Sequence, residues 1–164
     1  DRDKGTRGAD ELSEVGRANH TGYYHRSFRW RKMIHLTQSQ PTPDGFRKMY
    51  VEAFGDSGVP LPGTIYVIED EDKRVAFCSV YVHSRGNLYL QYIGFAKDAE
   101  PGKKYGYYVE TMKALHGLGF PFIMGAISSK NKRALMWALR AGFEIHGCRQ
   151  ATNGELFVEV LRSR

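Results

Sequence analysis

A chain of 164 residues is long enough for one domain with a sizeable core, and 41% hydrophobic with 13% aromatic residues excludes disorder throughout. No run approaches the roughly 18 consecutive apolar residues of a membrane span, and no charged start followed by an apolar stretch marks a signal peptide, so the expectation is a soluble protein without a membrane partner. The formal net charge of +6 favours acidic partners such as phosphates, nucleic acid or an anionic protein surface. Cys78 and Cys148 lie far apart in strand-like runs and make no metal-ligand cluster. That usage suits a reducing compartment, and the expected location is cytoplasmic. The chain begins at Asp1 rather than methionine, as a processed product or part of something longer would.

Residues 1–32 are polar, contain glycine and carry no sustained apolar period, so they read as an extension that docks or wanders, ahead of one domain over 33–164. Within the extension, "YYHRSFRWRK" over residues 23–32 interleaves Tyr23, Tyr24, Phe28 and Trp30 with Arg26, Arg29, Arg31 and Lys32. Two readings stand: aromatics stacking on bases while cations meet phosphates, or aromatics packing the arm onto the body or a partner protein.

From Met33 the chain punctuates itself. "MIHLTQ" alternates like a short strand, and "TPDGFRKMYVEAFG" is a helix with Thr42 as cap, Pro43 in its first turn and Gly55 as stop. After the loop "DSGVPLPG", the runs "TIYVIED", "RVAFCSVYV" and "NLYLQYIGF" are β-branched and aromatic, and their short charged or Gly-Asn turns favour antiparallel hairpins. A helix over about 105–116 ends at Gly117 and Gly119, and the apolar run "PFIMGAIS" is a buried strand. "NKRALMWALRAGFEIHG" is a helix that stops on glycine and turns into a strand; "FEIHGCRQ" and "GELFVEVLR" close the chain as a pair joined through Asn153-Gly154.

The order is therefore β-α-β-β-β-α-β-α-β-β. That order resembles the GNAT (Gcn5-related N-acetyltransferase) superfamily over residues 33–164, on two local motifs. One is Asn131, Ala134 and Gly142-Phe143, similar to the family's fourth helix and following strand; the other is "KKYGYYV", similar to its acyl-CoA phosphate loop. The resemblance implies an α/β (α+β) fold with a mixed, mostly antiparallel sheet of about seven strands and flanking helices. The family usually has two helices after its first strand, and "DSGVPLPG" leaves no room for a full second one.

A Gly-containing turn opening a helix points free backbone N–H groups and the positive end of the helix dipole at one place, where anions bind. Here Gly102 and Gly106 surround Lys103, Lys104 and Tyr105, which adds two cations. The resemblance implies that acetyl-CoA, as cosubstrate, meets Lys103 and the backbone of Lys104, Tyr105, Gly106 and Tyr107 with its pyrophosphate. Its pantetheine arm would pair with the strand edge over 92–95, at Ile93 and Phe95, with Gly94 permitting a bulge or close approach. Asn131 caps its helix and, by the resemblance, also contacts the arm.

Direct acetyl transfer needs a neutral amine, a base and an acid for the departing thiolate. The family's usual acid, a tyrosine, falls at Ala138. A tyrosine there would share the face of residues 134, 137 and 141 and so restore a phenol near the thiolate. The substitutes are Tyr108 and Ser128, with Tyr107 a further hydroxyl. Of His83, Tyr89 and Gln91 on the central strands, His83 is the candidate base, since an ordinary histidine alone among them titrates near neutrality and Gln91 cannot accept a proton. Two functions follow: an acyl-CoA-dependent N-acetyltransferase acting on a small-molecule or protein amine by direct transfer in a ternary complex, or a non-catalytic GNAT-fold binding or assembly protein with a basic aromatic arm. The balance leans to the enzyme.

Overall fold

The computed structural model describes residues 34–56, 58–83 and 86–164; the extension over 1–32, with its segment 23–32, lies outside them. Seven strands form one sheet with three helices: β1 (His35–Ser39), α1 (Pro43–Phe54), β2 (Thr64–Asp70), β3 (Lys73–Val82), β4 (Leu88–Phe95), α2 (Lys104–Gly117), β5 (Phe122–Ser128), α3 (Lys132–Arg140), β6 (Glu144–Gln150) and β7 (Leu156–Ser163). The strand order is β1-β2-β3-β4-β5-β7-β6, and β4 with β5 is its parallel pair, the other neighbours being antiparallel.

Local chemistry accounts for the boundaries. Thr42 Oγ1 accepts from Gly45 N at 3.1 Å and Pro43 opens α1, whose end is marked by Gly55 at φ 84°. Glu71 and Asp72 both take positive φ, the conformation a tight two-residue hairpin between β2 and β3 demands. At the end of α3, Gly142 has φ 89° and Phe143 N returns to Ala138 O at 3.0 Å, so the chain leaves the helix directly into β6.

The sheet has two unlike faces. On one, Cys78, Val80, Leu88, Ile123 and Val160 pack with Tyr107, Tyr108, Met112 and Leu115 of α2 and Ala138 and Ala141 at the end of α3, forming the core. Phe77 and Tyr92 on the other face meet Phe46, Tyr50 and Phe54 of α1 in a ring cluster. Gly94 belongs to this second contact. A Cβ there would lie 2.8 Å from Ala53 Cβ and 2.8 Å from Phe77 Cε1, so its lack of a side chain is what lets α1 close on the sheet.

The expected bulge lies elsewhere in β4. Ser79 pairs with Tyr92 and Val80 with Leu90, which leaves Gln91 as the extra residue. The cause is a change of phase: Leu88 and Leu90 face the core, and so do Ile93 and Phe95, which strict alternation forbids unless one residue is inserted.

Candidate functional site

Beside that bulge the sheet opens. β4 and β5 pair only at Leu88 with Ile123, Tyr89 with Met124 and Leu90 with Gly125, whereas β5 stays paired with β7 as far as Ser128. Among the described residues the edge of β4 that faces β5 has no strand partner from Gln91 to Phe95, and the fork sits at Leu90 and Gly125. Such an edge offers backbone donors and acceptors to an extended, amide-bearing ligand in the manner of an added strand.

The open end of the fork leads to the start of α2. Lys103 N donates to Glu100 O at 3.0 Å and Tyr107 N to Lys103 O at 3.0 Å, so the helix's orphan amides are those of Lys104, Tyr105 and Gly106. This corrects the expected donor set at one end, because the Tyr107 amide is already inside the helix ladder. Among the described residues no side chain caps the turn, and the positive end of the helix dipole is one where an anion binds. Lys103 Nζ is held by Glu100 at 3.0 Å, and Lys104 Nζ lies 6.0 Å from the centre of the Phe95 ring.

The Tyr107 side chain serves the fold. Its hydroxyl donates to Asp70 Oδ2 at 2.8 Å, and burial, then the hydrogen bond to Asp70, push the phenol up to about 12. Tyr108 is buried with its ring 6.1 Å from that of Trp137, and burial raises its pKa well above the ordinary phenol value. Trp137 also meets Phe95 at 5.9 Å and Tyr105 at 5.8 Å, so one indole joins α3, β4 and the first turn of α2. Ala138 is 0% exposed within this core, so the face it shares with Ala141 is a packing face. A tyrosine at 138 would therefore have to enter a filled core.

Asn131 caps α3, its Oδ1 accepting from Ala134 N at 3.1 Å, which leaves its amide N–H groups for another acceptor. Ser128 ends β5, and its hydroxyl donates to Glu155 Oε1 at 2.5 Å; its proton is directed at the β6–β7 turn. His83 is on the opposite side of the sheet from α2 and α3, beside Tyr89 with 6.4 Å between ring centroids, while Tyr89 stacks on Tyr81 at 4.9 Å. His83, Tyr108 and Ser128 therefore occupy three different places: the α1 side of the sheet, the core under Trp137, and the open end of β5. They do not form one constellation.

His83 does line a cleft of about 520 Å³ with Tyr89, Met124, Gly125, Ala126, His146 and Glu159, whose upper rim reaches the fork at Gly125. His146 arrives there because it is the unpaired residue of a bulge in β6, between Ile145 and Gly147. Glu159 Oε1 is 3.4 Å from Arg149 Nε. Neither His146 nor Glu159 is marked by a local motif, since four strands contribute to the cleft; an apolar-polar alternation broken at "EIHGC" is the sequence signal for the bulge. Among the described residues no three His, Cys, Asp or Glu side chains cluster to hold a metal ion. None of the described helices is long and apolar enough to cross a membrane.

A seven-stranded, mostly antiparallel sheet with one forked parallel pair and a helix N-terminus at the mouth of the fork is the GNAT fold. An acetyltransferase of Bacillus subtilis, solved in complex with CoA, matches it with a TM-score of 0.63 at 12% identity, over 80% of this chain and 99% of that one. The ribosomal-protein-S18-alanine N-acetyltransferase of Escherichia coli matches with a TM-score of 0.60 at 13% identity, over 80% and 94%. A GNAT family acetyltransferase of Elizabethkingia anophelis, solved with acetyl-CoA bound, gives 0.60 at 12%, over 80% and 97%. The sequence matches no protein-family model and no curated protein.

Proposed function

We propose that the chain is a cytoplasmic, acyl-CoA-dependent N-acetyltransferase that passes an acetyl group from acetyl-CoA directly to an amine in a ternary complex. The observation that carries this reading is the fork of β4 and β5 opening onto the uncapped start of α2. The orphan amides of Lys104, Tyr105 and Gly106, with Lys103 and Lys104, would hold the pyrophosphate, and the β4 edge at Ile93 and Phe95 with the Asn131 amide would hold the pantetheine arm. The thioester would then reach the fork, next to the cleft on the other side of the sheet.

In that cleft His83 is the candidate base for the incoming ammonium, and the amine nitrogen attacks the thioester carbon as the C–S bond breaks. Tyr108 and Ser128 are poor donors to the thiolate from their places under Trp137 and on Glu155, so the thiolate leaves to water. Approximation of the two substrates then supplies most of the acceleration. A second reading, a binding or assembly module, is favoured by one observation: position 138 holds a buried alanine and Tyr108 is folded into the core, so neither offers an acid at the fork. Its basic aromatic arm, residues 23–32, would contact nucleic acid or a protein complex.

Acetyl-CoA should raise the melting temperature of the wild-type protein, because a ligand that binds only the folded state stabilises it. Gly106→Val should keep the fold, since valine has the higher helix propensity, yet should weaken acetyl-CoA binding about tenfold or more in a calorimetric titration by placing a branched side chain over the amides. Equal affinity of a folded Gly106→Val variant would displace the pyrophosphate from α2.

A further inference from the structure

Next to the fork lies a polar chain that the proposed chemistry does not use. Gly63 N donates to Ser79 Oγ at 2.8 Å, and Ser79 Oγ donates to Gln91 Oε1 at 3.0 Å. Ser79 is 0% exposed, in a strand otherwise filled by Phe77, Cys78 and Val80. A backbone amide can only donate, so the Gly63 bond takes one of the hydroxyl's lone pairs and leaves its single proton to be placed. Among the described residues the acceptor for that proton is the Gln91 carbonyl, and a buried hydroxyl left without one is costly.

The chain thereby sets which way the Gln91 carboxamide faces: its oxygen is tied to Ser79 and its two N–H donors are turned away. Glycine at 63 is part of the device. A Cβ there would lie 2.4 Å from Val80 O and 3.1 Å from Ser79 Oγ, so another residue could not bring its amide as near. The Tyr92 hydroxyl is also buried in this neighbourhood, with no hydrogen bond among the described residues, and burial raises its pKa.

Gln91 is the bulged residue of β4, exposed, and the first residue beyond the last β4–β5 pair. Accordingly we propose that Gly63, Ser79 and Gln91 form a relay that fixes the Gln91 carboxamide as a hydrogen-bond donor at the fork, where it binds the carbonyl oxygen of the acyl thioester. This assignment rests on the acyl-CoA reading of the fork. It gives Gln91 a role as carbonyl-binding residue, and Ser79 and Gly63 roles as positioning residues.

Gln91→Glu separates the relay from the donor. A carboxylate still accepts from Ser79, so the bulge keeps its bond, but the two N–H groups are gone and an acceptor faces the carbonyl. Calorimetric titration of wild type and variant with CoA and with acetyl-CoA reads the consequence, since CoA lacks the thioester carbonyl. Gln91→Glu should lose about fivefold or more in affinity for acetyl-CoA relative to CoA, with its melting temperature unchanged. Ser79→Ala, which frees the carboxamide to turn, should lower the same ratio by a smaller factor. Unchanged CoA affinity with an unchanged ratio overturns the relay while leaving the CoA reading intact. Parallel loss of both ligands overturns it as well, by making Gln91 a structural residue, and wild-type protein that binds neither ligand overturns this inference and the acyl-CoA reading together.

Discussion

Ala138→Tyr should destabilise the protein by about 3 kcal/mol, the upper part of what overpacking a filled core typically costs, and should not raise any transfer rate. Ala138 is 0% exposed in the core cluster that also holds Tyr108, Phe143, Ile123, Val158 and Val160, and its carbonyl accepts from the amides of Ala141 and Phe143 at the helix end. A phenol there must push α3 off the sheet or displace Tyr108. Either movement spreads the helices on both sides of the fork. Differential scanning calorimetry reads the outcome, with a fall in melting temperature of several degrees expected for a chain of this size. A variant that melts like wild type and acetylates faster would mean that residue 138 has room to face the thiolate.

Trp137→Ala should cost about 2–3 kcal/mol, below the usual figure for a fully buried tryptophan because this ring is half-buried. The indole has ring contacts with Phe95, Tyr105 and Tyr108, and each such pair adds to simple burial. Its loss reaches function through Tyr105, whose amide is one of the three orphans at the start of α2. The variant should therefore bind acetyl-CoA more weakly as well as unfold earlier in urea, whereas Trp137→Phe should recover part of both. Unchanged acetyl-CoA affinity in a destabilised Trp137→Ala protein would uncouple the aromatic cluster from the start of α2.

Much of the architecture is written in local chemistry. Strands β2, β3 and β4 are runs rich in β-branched and aromatic residues, and Thr42, Pro43 and Gly142 mark helix ends by mechanisms that act within a few residues. The start of α2 without a side-chain cap was legible for the same reason, although the Tyr107 amide lies inside the helix ladder. What is set by distant partners was not. Gly94 reads from its neighbours in the chain as a bulge or a close approach; the structure shows the approach, and it is made by Ala53 and Phe54, forty residues earlier in sequence order. The bulge itself was encoded in the spacing of Leu88, Leu90, Ile93 and Phe95, which breaks step once at Gln91. Tyr108 and Ser128 have suitable hydroxyls, but Trp137 covers one and Glu155 binds the other, and neither neighbour is near in the chain. Likewise, the cleft beside His83 draws His146 and Glu159 from two later strands.

The most direct test of the acyltransferase account is release of CoA thiol from acetyl-CoA by the purified full chain, measured with a panel of small amines and peptide amino groups and with the acetylated product weighed by mass spectrometry. The account predicts thiol release that requires both protein and amine, matches the product mole for mole, and falls by about tenfold or more in Gly106→Val at limiting acetyl-CoA. Acetyl-CoA that binds and stabilises the protein while no amine releases thiol above the uncatalysed rate would contradict it, and would leave the fold as a binding module.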